Sequence, residues 1–207
     1  MLRVGLTGSI AVGKSHVVGV LRELGCHVID ADQTARDVVA PGTGGLKRVA
    51  AEFGEEVLQP DGTLDRARLG AIIFADAEKR ERLNAILHPL IIKEQDEQLR
   101  RWEEENPNSI GIIDAALMIE SGGYRRFDKL VVVHCRPEIQ LERLMRRNNL
   151  SREEAVRRIS AQMPQEEKMR YAAFLIDTSE DYETTRARII EVFQKLKALT
   201  EAREEKA

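Results

Sequence analysis

Apolar positions in this chain alternate between short continuous runs and stretches at helical spacing. Leu2 to Thr7 is a brief apolar run ending in glycine; Val17, Val18, Val20, Leu21 and Leu24 then recur at helical spacing until Gly25 stops them. Cys26 to Ile29 is a second short run that ends at Asp30, so the chain opens as strand, helix, strand, with the strands parallel. From Ala31 to Arg101 the pattern is helical, punctuated at Pro41-Gly42 and Pro60-Asp61-Gly62. Even the β-rich stretch Leu69 to Phe74 satisfies helical spacing there, so this region reads as a mostly helical insertion. Ser109 to Asp114, Leu130 to His134 and Phe174 to Asp177 are three further buried-strand candidates. The pattern predicts an α/β fold with a five-stranded parallel sheet flanked by helices.

Two later helices need separate placement. Pro137 suits a first helical turn, and Ile139, Leu141, Leu144 and Met145 supply its buried stripe. Ser151-Arg152-Glu153-Glu154 is a capping box opening the next helix, so Arg147 to Leu150 lies at a helix-loop-helix joint of the kind that suits a small helical lid. The expected organisation is a core of 1–32, 108–136 and 172–200, an insertion over 33–107, a lid region over 140–168, and a charged tail, Glu201 to Ala207, that frays.

Composition narrows the classes. An apolar fraction of 43% is enough for one ordinary core. Lys and Arg number 32 against 35 Asp and Glu, so the net charge of -3 provides no global field to gather nucleic acid or an anionic membrane. Neither of those partners is expected, and nothing in the pattern speaks to oligomeric state. Cys26 and Cys135 have no metal-ligand spacing, which argues against a zinc site or a disulfide framework. The amino terminus lacks a signal-peptide pattern and no segment approaches the roughly 18 apolar residues of a membrane span, so a cytoplasmic location is expected.

Gly8-Ser9-Ile10-Ala11-Val12-Gly13-Lys14-Ser15 matches the phosphate-binding loop G-x-x-x-x-G-K-[ST], and it lies between a strand and a helix as that motif requires. Glycines let the backbone wrap a phosphate with its N–H groups, and the helix amino terminus adds partial positive charge. Gly8, Ala11, Val12, Gly13, Lys14, Ser15 and the following His16 are the candidate ATP contacts. Lys14 is placed to reach the β- and γ-phosphates, and the Ser15 hydroxyl is a hard oxygen suited to Mg²⁺.

Asp30 and Asp32 follow the second strand directly, at the sheet edge where ligands of such folds bind. A carboxylate there can accept a proton from an attacking hydroxyl or hold the metal's water shell; the alternative is that one of them caps the helix starting near Gln33. Asp32 is the candidate base and a metal-site candidate, with Asp30 structural or metal-linked. Asp114 ends a strand and either helps position Mg²⁺ or is an ordinary strand-end residue. Arg143 and Arg147, one helical turn apart and leading into the joint, suit charge stabilisation during phosphoryl transfer, against the alternative of a solvated charged face. With aromatic residues at 4%, Trp102 reads as packing rather than a base-stacking platform. His88, before Pro89, is either a capped core histidine or a substrate contact.

The order of motifs resembles the dephospho-CoA kinase family over about residues 1 to 198. The resemblance rests on GLTGSIAVGKS at the start, DADQTARDVVAPG at 30–42, LDRARLGAIIF at 64–74, LNAILHP at 83–89, QLERLMRR at 140–147, and RISAQM followed by Lys168. It implies a P-loop NTPase fold with an acceptor-binding insertion, ATP as donor with Mg²⁺, and transfer of the γ-phosphate to the ribose 3′-hydroxyl of dephospho-CoA. It also implies Asp32 as base, Lys14 as phosphate lysine, Arg143 and Arg147 as lid arginines, and Asp30, Asp32, Arg36 and His88 on the acceptor side. The chain departs from the family where Asp114 to Glu120 reads DAALMIE without the usual proline, where Ala172-Ala173 replaces an Ala-Asp pair, and where Thr178 replaces an asparagine near the nucleotide base. The runner-up is another small-metabolite kinase, shikimate kinase-like or nucleoside monophosphate kinase-like. A non-catalytic nucleotide-binding regulator is the reading from a different class, and the chain has no N-K-x-D guanine-reading motif to support its GTPase form.

Overall fold

The strand at the centre of the sheet is the one that opens the chain. In the computed structural model, which describes residues 1–204, β1 (Leu2–Gly8) lies between β3 (Ile110–Asp114) and β4 (Lys129–His134). β2 (His27–Asp30) and β5 (Phe174–Asp177) form the edges of a five-stranded parallel sheet in the order β2-β3-β1-β4-β5. β1 pairs in parallel with both β3 and β4, and β4 with β5: Leu6 opposes Asp114 on one side and Val131 on the other, and His134 opposes Asp177. β1, β3 and β4 are buried along almost their whole length, so their Val, Ile and Leu runs show no polar alternation, as expected for strands covered on both faces.

α1 (Lys14–Glu23) and the carboxy-terminal helix α9 (Tyr182–Glu204) pack together and against the strands. Val4, Leu6, Val17, Leu21, Ile112, Val133, Ile176, Ile189 and Leu196 form one core, each side chain contributing about 1.5–3 kcal/mol by leaving water. Both cysteines are free and buried there. Residues 201–204, expected to fray, continue α9, held by Arg203 Nη2 on Asp128 Oδ1 at 2.6 Å. The remainder of that expected tail, 205–207, lies outside the described residues.

Chain contacts divide the molecule into two compact units, Met1–Ile29 with Trp102–Ala207, and Asp30–Arg101. The second unit is helical: α2 (Ala31–Asp37), α3 (Gly44–Phe53), α4 (Arg66–Phe74) and most of α5 (Ala77–Glu105). Its own core holds Val39, Leu46, Val49, Phe53, Val57, Leu64, Leu69 and Leu83. The two turn signals read from the sequence both appear: Gly42 and Gly62 take φ of 85° and 79°, backbone that glycine adopts without steric cost.

In the first unit, α6 (Pro137–Asn148), α7 (Arg152–Ser160) and α8 (Gln165–Met169) follow β4. Asn149 ends α6 in the left-handed region, and the capping box of Ser151 and Glu154 opens α7 with both of its hydrogen bonds formed.

Candidate active site

β1 delivers the phosphate-binding loop to the carboxyl edge of the sheet. A Cβ on Gly8 would sit 2.6 Å from the Val133 carbonyl, so β1 and β4 approach here only because no side chain intervenes. Beyond it the backbone turns twice through the left-handed region, at Ala11 (φ 61°) and Gly13 (φ 84°). Such turns curl successive N–H groups into a concave nest that takes anions. At Ala11, a non-glycine residue, the conformation carries strain of about 1–3 kcal/mol. α1 then starts at Lys14 with no side-chain cap and no acidic residue in its first turn, leaving its positive end for a ligand.

Lys14 Nζ donates to Asp114 Oδ1, and the two side chains are 21% and 12% exposed. β3 puts Asp114 there because its register sets that residue beside Leu6 of β1. Asp114 is thus not a plain strand-end residue: its carboxylate neutralises the loop lysine. Ser15 is exposed on the first turn of α1. Among the described residues no group of three or more His, Cys, Asp or Glu forms a metal cage. A hydroxyl and a carboxylate beside a phosphate nest are nonetheless the donor set that suits Mg²⁺, which keeps several waters and takes one or two protein oxygens with substrate phosphates.

Beside the loop lies a cavity of about 560 Å³ lined by Ala11, Gly13, His16, Arg143, Arg146, Arg147, Thr178 and Tyr182 among others. α6 contributes the arginines. Arg143 donates to Thr178 Oγ1 at 3.1 Å and to the Thr178 carbonyl at 2.8 Å, while exposed Arg147 donates to Asn148 Oδ1 at 2.9 Å. The Thr178 hydroxyl in turn reaches the Val12 carbonyl at 2.6 Å. His16 Nε2 is buried without a hydrogen-bond partner, and its ring meets Tyr182 edge-on at 4.8 Å. An orphaned polar atom beside an aromatic edge fits a ligand that is flat and hydrogen-bonding, as a nucleotide base is.

Under this cavity wall, burial and Arg188 lower the His134 pKa against the opposing pull of Asp177. Burial pushes the Asp177 carboxyl up, but hydrogen bonds from Ser179 and the nearby charges of His134 and Arg188 outweigh it and hold the pKa low. Burial also raises both thiols, Cys26 to about 12.

The segment from Asp114 to Glu120 is held by side chains from elsewhere in the chain. Lys168, fully buried on α8, donates to the Ala116 carbonyl at 2.8 Å and pairs with Glu120 Oε1 at 2.8 Å. Thr7 Oγ1 donates to the same carbonyl at 3.1 Å. Neither the role of Lys168 nor that of Glu120 was legible from spacing, because a lysine among Glu166, Glu167 and Arg170 reads as solvated. Arg146 and Tyr182, both on the cavity, were likewise missed; their positions follow from helix rotation that the pattern alone does not fix.

Asp30, Asp32, Arg36 and His88 fall in the second unit. The Asp30 carboxylate caps α2, accepting from the N–H groups of Asp32 at 2.9 Å and Gln33 at 3.2 Å. The capping residue is therefore Asp30, and Asp32 is exposed with its carboxylate not engaged by that cap. Arg36 is exposed. His88 is exposed on α5, so it is not a core histidine. Trp102, in the first unit, stacks on His27 at 4.6 Å, as packing requires.

A phosphate nest, its lysine and a flanking base-sized cavity at the carboxyl edge of a parallel sheet define a nucleotide-binding P-loop kinase fold. The family model described as dephospho-CoA kinase matches residues 2–183. A dephospho-CoA kinase of Listeria monocytogenes serotype 4b is 48% identical over 187 residues, 90% of this chain and 93% of the relative. Among solved structures, dephospho-CoA kinase from Campylobacter jejuni superposes with a TM-score of 0.72 at 30% identity, covering 95% of this chain and 97% of its own. A Thermus thermophilus protein reaches 0.81 at 30% identity, covering 94% and 96%. The chain belongs to the dephospho-CoA kinase family.

Proposed function

We propose that the protein transfers the γ-phosphate of ATP to the ribose 3′-hydroxyl of dephospho-CoA, giving coenzyme A and ADP. The observation that carries this reading is the cradle of Ala11 to Ser15 with its Lys14–Asp114 pair in a chain of this family. The bond formed joins the acceptor oxygen to the γ-phosphorus; the bond broken joins that phosphorus to the β,γ-bridging oxygen, which leaves on ADP. The hydroxyl proton goes to the Asp32 carboxylate, which Asp30 leaves free by capping α2 itself.

Lys14 and the loop N–H groups hold the donor phosphates, and catalysis here is mostly positioning and charge stabilisation. Ser15 and Asp114, with Asp32 the further candidate, are the residues that would hold Mg²⁺. When bound, the metal neutralises phosphate charge and orients the transferring group. Arg143 and Arg147 on α6 supply guanidinium charge at the cavity wall, and the α6–α7 joint acts as a lid over it. Asp30, Asp32, Arg36 and His88, in a helical unit with its own core, form the acceptor side. The reading is of a cytoplasmic enzyme acting on a small molecule; among the described residues no helix is long and apolar enough to cross a membrane. Acceptor-dependent ADP release tests the assignment.

A further inference from the structure

Ile10, in the phosphate-binding loop, has both backbone polar groups held by glutamine side chains. Its N–H donates to Gln162 Oε1 at 2.7 Å, and its carbonyl accepts from Gln140 Nε2 at 2.8 Å. Gln140, only 2% exposed, accepts in turn from Gln165 Nε2 at 2.7 Å, and Gln165 Oε1 accepts from the Cys135 N–H at 3.1 Å. A glutamine amide can face either way, but here the backbone dictates the orientation. An N–H at Cys135 demands oxygen from Gln165, which turns its nitrogen to Gln140; that demands oxygen from Gln140 and turns its nitrogen to the Ile10 carbonyl. The donors run in one direction from the end of β4 to the loop.

The next residue is Ala11, the strained non-glycine in the left-handed region. A strained residue of this kind persists only where its surroundings over-determine it. Fixing the two peptide planes that flank Ile10, the second of which runs into Ala11, does that. The Gln162 bond also has a second consequence: Gln162 lies in the turn between α7 and α8, so the cradle is tied to the helices that follow the arginine-bearing α6.

We propose that Gln140, Gln162 and Gln165 are positioning residues of the phosphate cradle, holding the peptides on either side of Ile10 so that the turns at Ala11 and Gly13 are formed before nucleotide arrives. The ligand arm rests on the nucleotide-binding reading above; the amide arm does not. The test uses the full chain labelled with ¹⁵N, with Gln162→Leu, which removes the acceptor, and Gln162→Glu, which keeps an acceptor oxygen at the same reach. Readouts are hydrogen exchange at the Ile10 amide, ADP affinity by calorimetry, and melting temperature.

In Gln162→Leu the Ile10 amide exchanges about tenfold faster and the ADP dissociation constant rises about tenfold, commensurate with one lost hydrogen bond, without a matching fall in melting temperature. Gln162→Glu restores protection of that amide. Unchanged exchange and affinity in Gln162→Leu would overturn the proposal, as would losses that simply track a lowered melting temperature, or a Glu variant no better protected than Leu. Failure of the unaltered protein to bind ADP would instead count against the functional reading, with the exchange measurement still deciding the role of Gln162.

Discussion

Arg143 grips Thr178 with both terminal guanidinium nitrogens, and the hydroxyl it touches also bridges to the Val12 carbonyl of the phosphate-binding loop at 2.6 Å. One side chain thereby joins α6, the segment after β5 and the loop. Thr178→Val keeps the shape and removes the hydroxyl, leaving the Val12 carbonyl without that donor. The expected cost is about 1–3 kcal/mol in unfolding free energy. The KM for ATP should rise severalfold with the acceptor KM unchanged, because Arg143 and Thr178 line the cavity beside the phosphate-binding loop and the lost hydroxyl bonds tie that wall to the loop. Denaturant unfolding and steady-state kinetics check both.

The neighbouring carboxylates Asp30 and Asp32 separate cleanly. Asp30→Ala removes the α2 cap and should cost about 1 kcal/mol of stability. Asp32→Asn leaves the cap intact, so the fold should be unchanged while turnover falls by about three orders of magnitude or more, the general-base contribution together with mispositioning of the acceptor. Near-normal turnover in Asp32→Asn would remove it as the base.

Lys168 and Glu120 form a pair with the lysine fully buried. Lys168→Met leaves Glu120 without this partner and the Ala116 carbonyl without this donor, and the expected loss is about 3–5 kcal/mol. Adding Glu120→Gln should recover part of that loss, since the uncompensated charge is then gone. A double-mutant cycle in unfolding free energy measures the coupling.

Acid should destabilise the protein in two stages. His134 has a folded pKa below its ordinary value of about 6.5, so the unfolded chain binds its proton first; the stability this gives is complete above about pH 6.5 and is lost as pH falls from there through the folded value. Asp177, also lowered, contributes stability above its unfolded pKa of about 3.9, lost as pH falls through the folded value. Unfolding free energy measured across pH 3 to 8 should therefore begin to decline near neutrality, and His134→Gln should flatten the upper part of the curve; about 1.4 kcal/mol accompanies each pH unit of one-proton difference.

Much of this was readable from the residues. All five strands, the loop, both turn signals and the Ser151 capping box follow from local pattern, because short apolar runs and helix caps are written in contiguous residues. Partners distant along the chain were not legible. Nothing local in QEEKM marks Lys168 as interior, and nothing in Gln140 or Gln162 announces that they close on Ile10; those contacts come from the packing of α6, α7 and α8 onto the sheet edge. The choice between Asp30 and Asp32 as cap turned on a two-residue difference in where α2 starts, the kind of boundary that hydrophobic spacing does not resolve.

The most direct test of the central claim is ADP release from Mg²⁺-ATP by the unaltered chain with dephospho-CoA, shikimate or a nucleoside monophosphate as the added acceptor. Dephospho-CoA should stimulate release strongly and yield coenzyme A phosphorylated at the 3′ position, with the other two acceptors near background. Stimulation by shikimate or a nucleoside monophosphate, with dephospho-CoA inert, would contradict it.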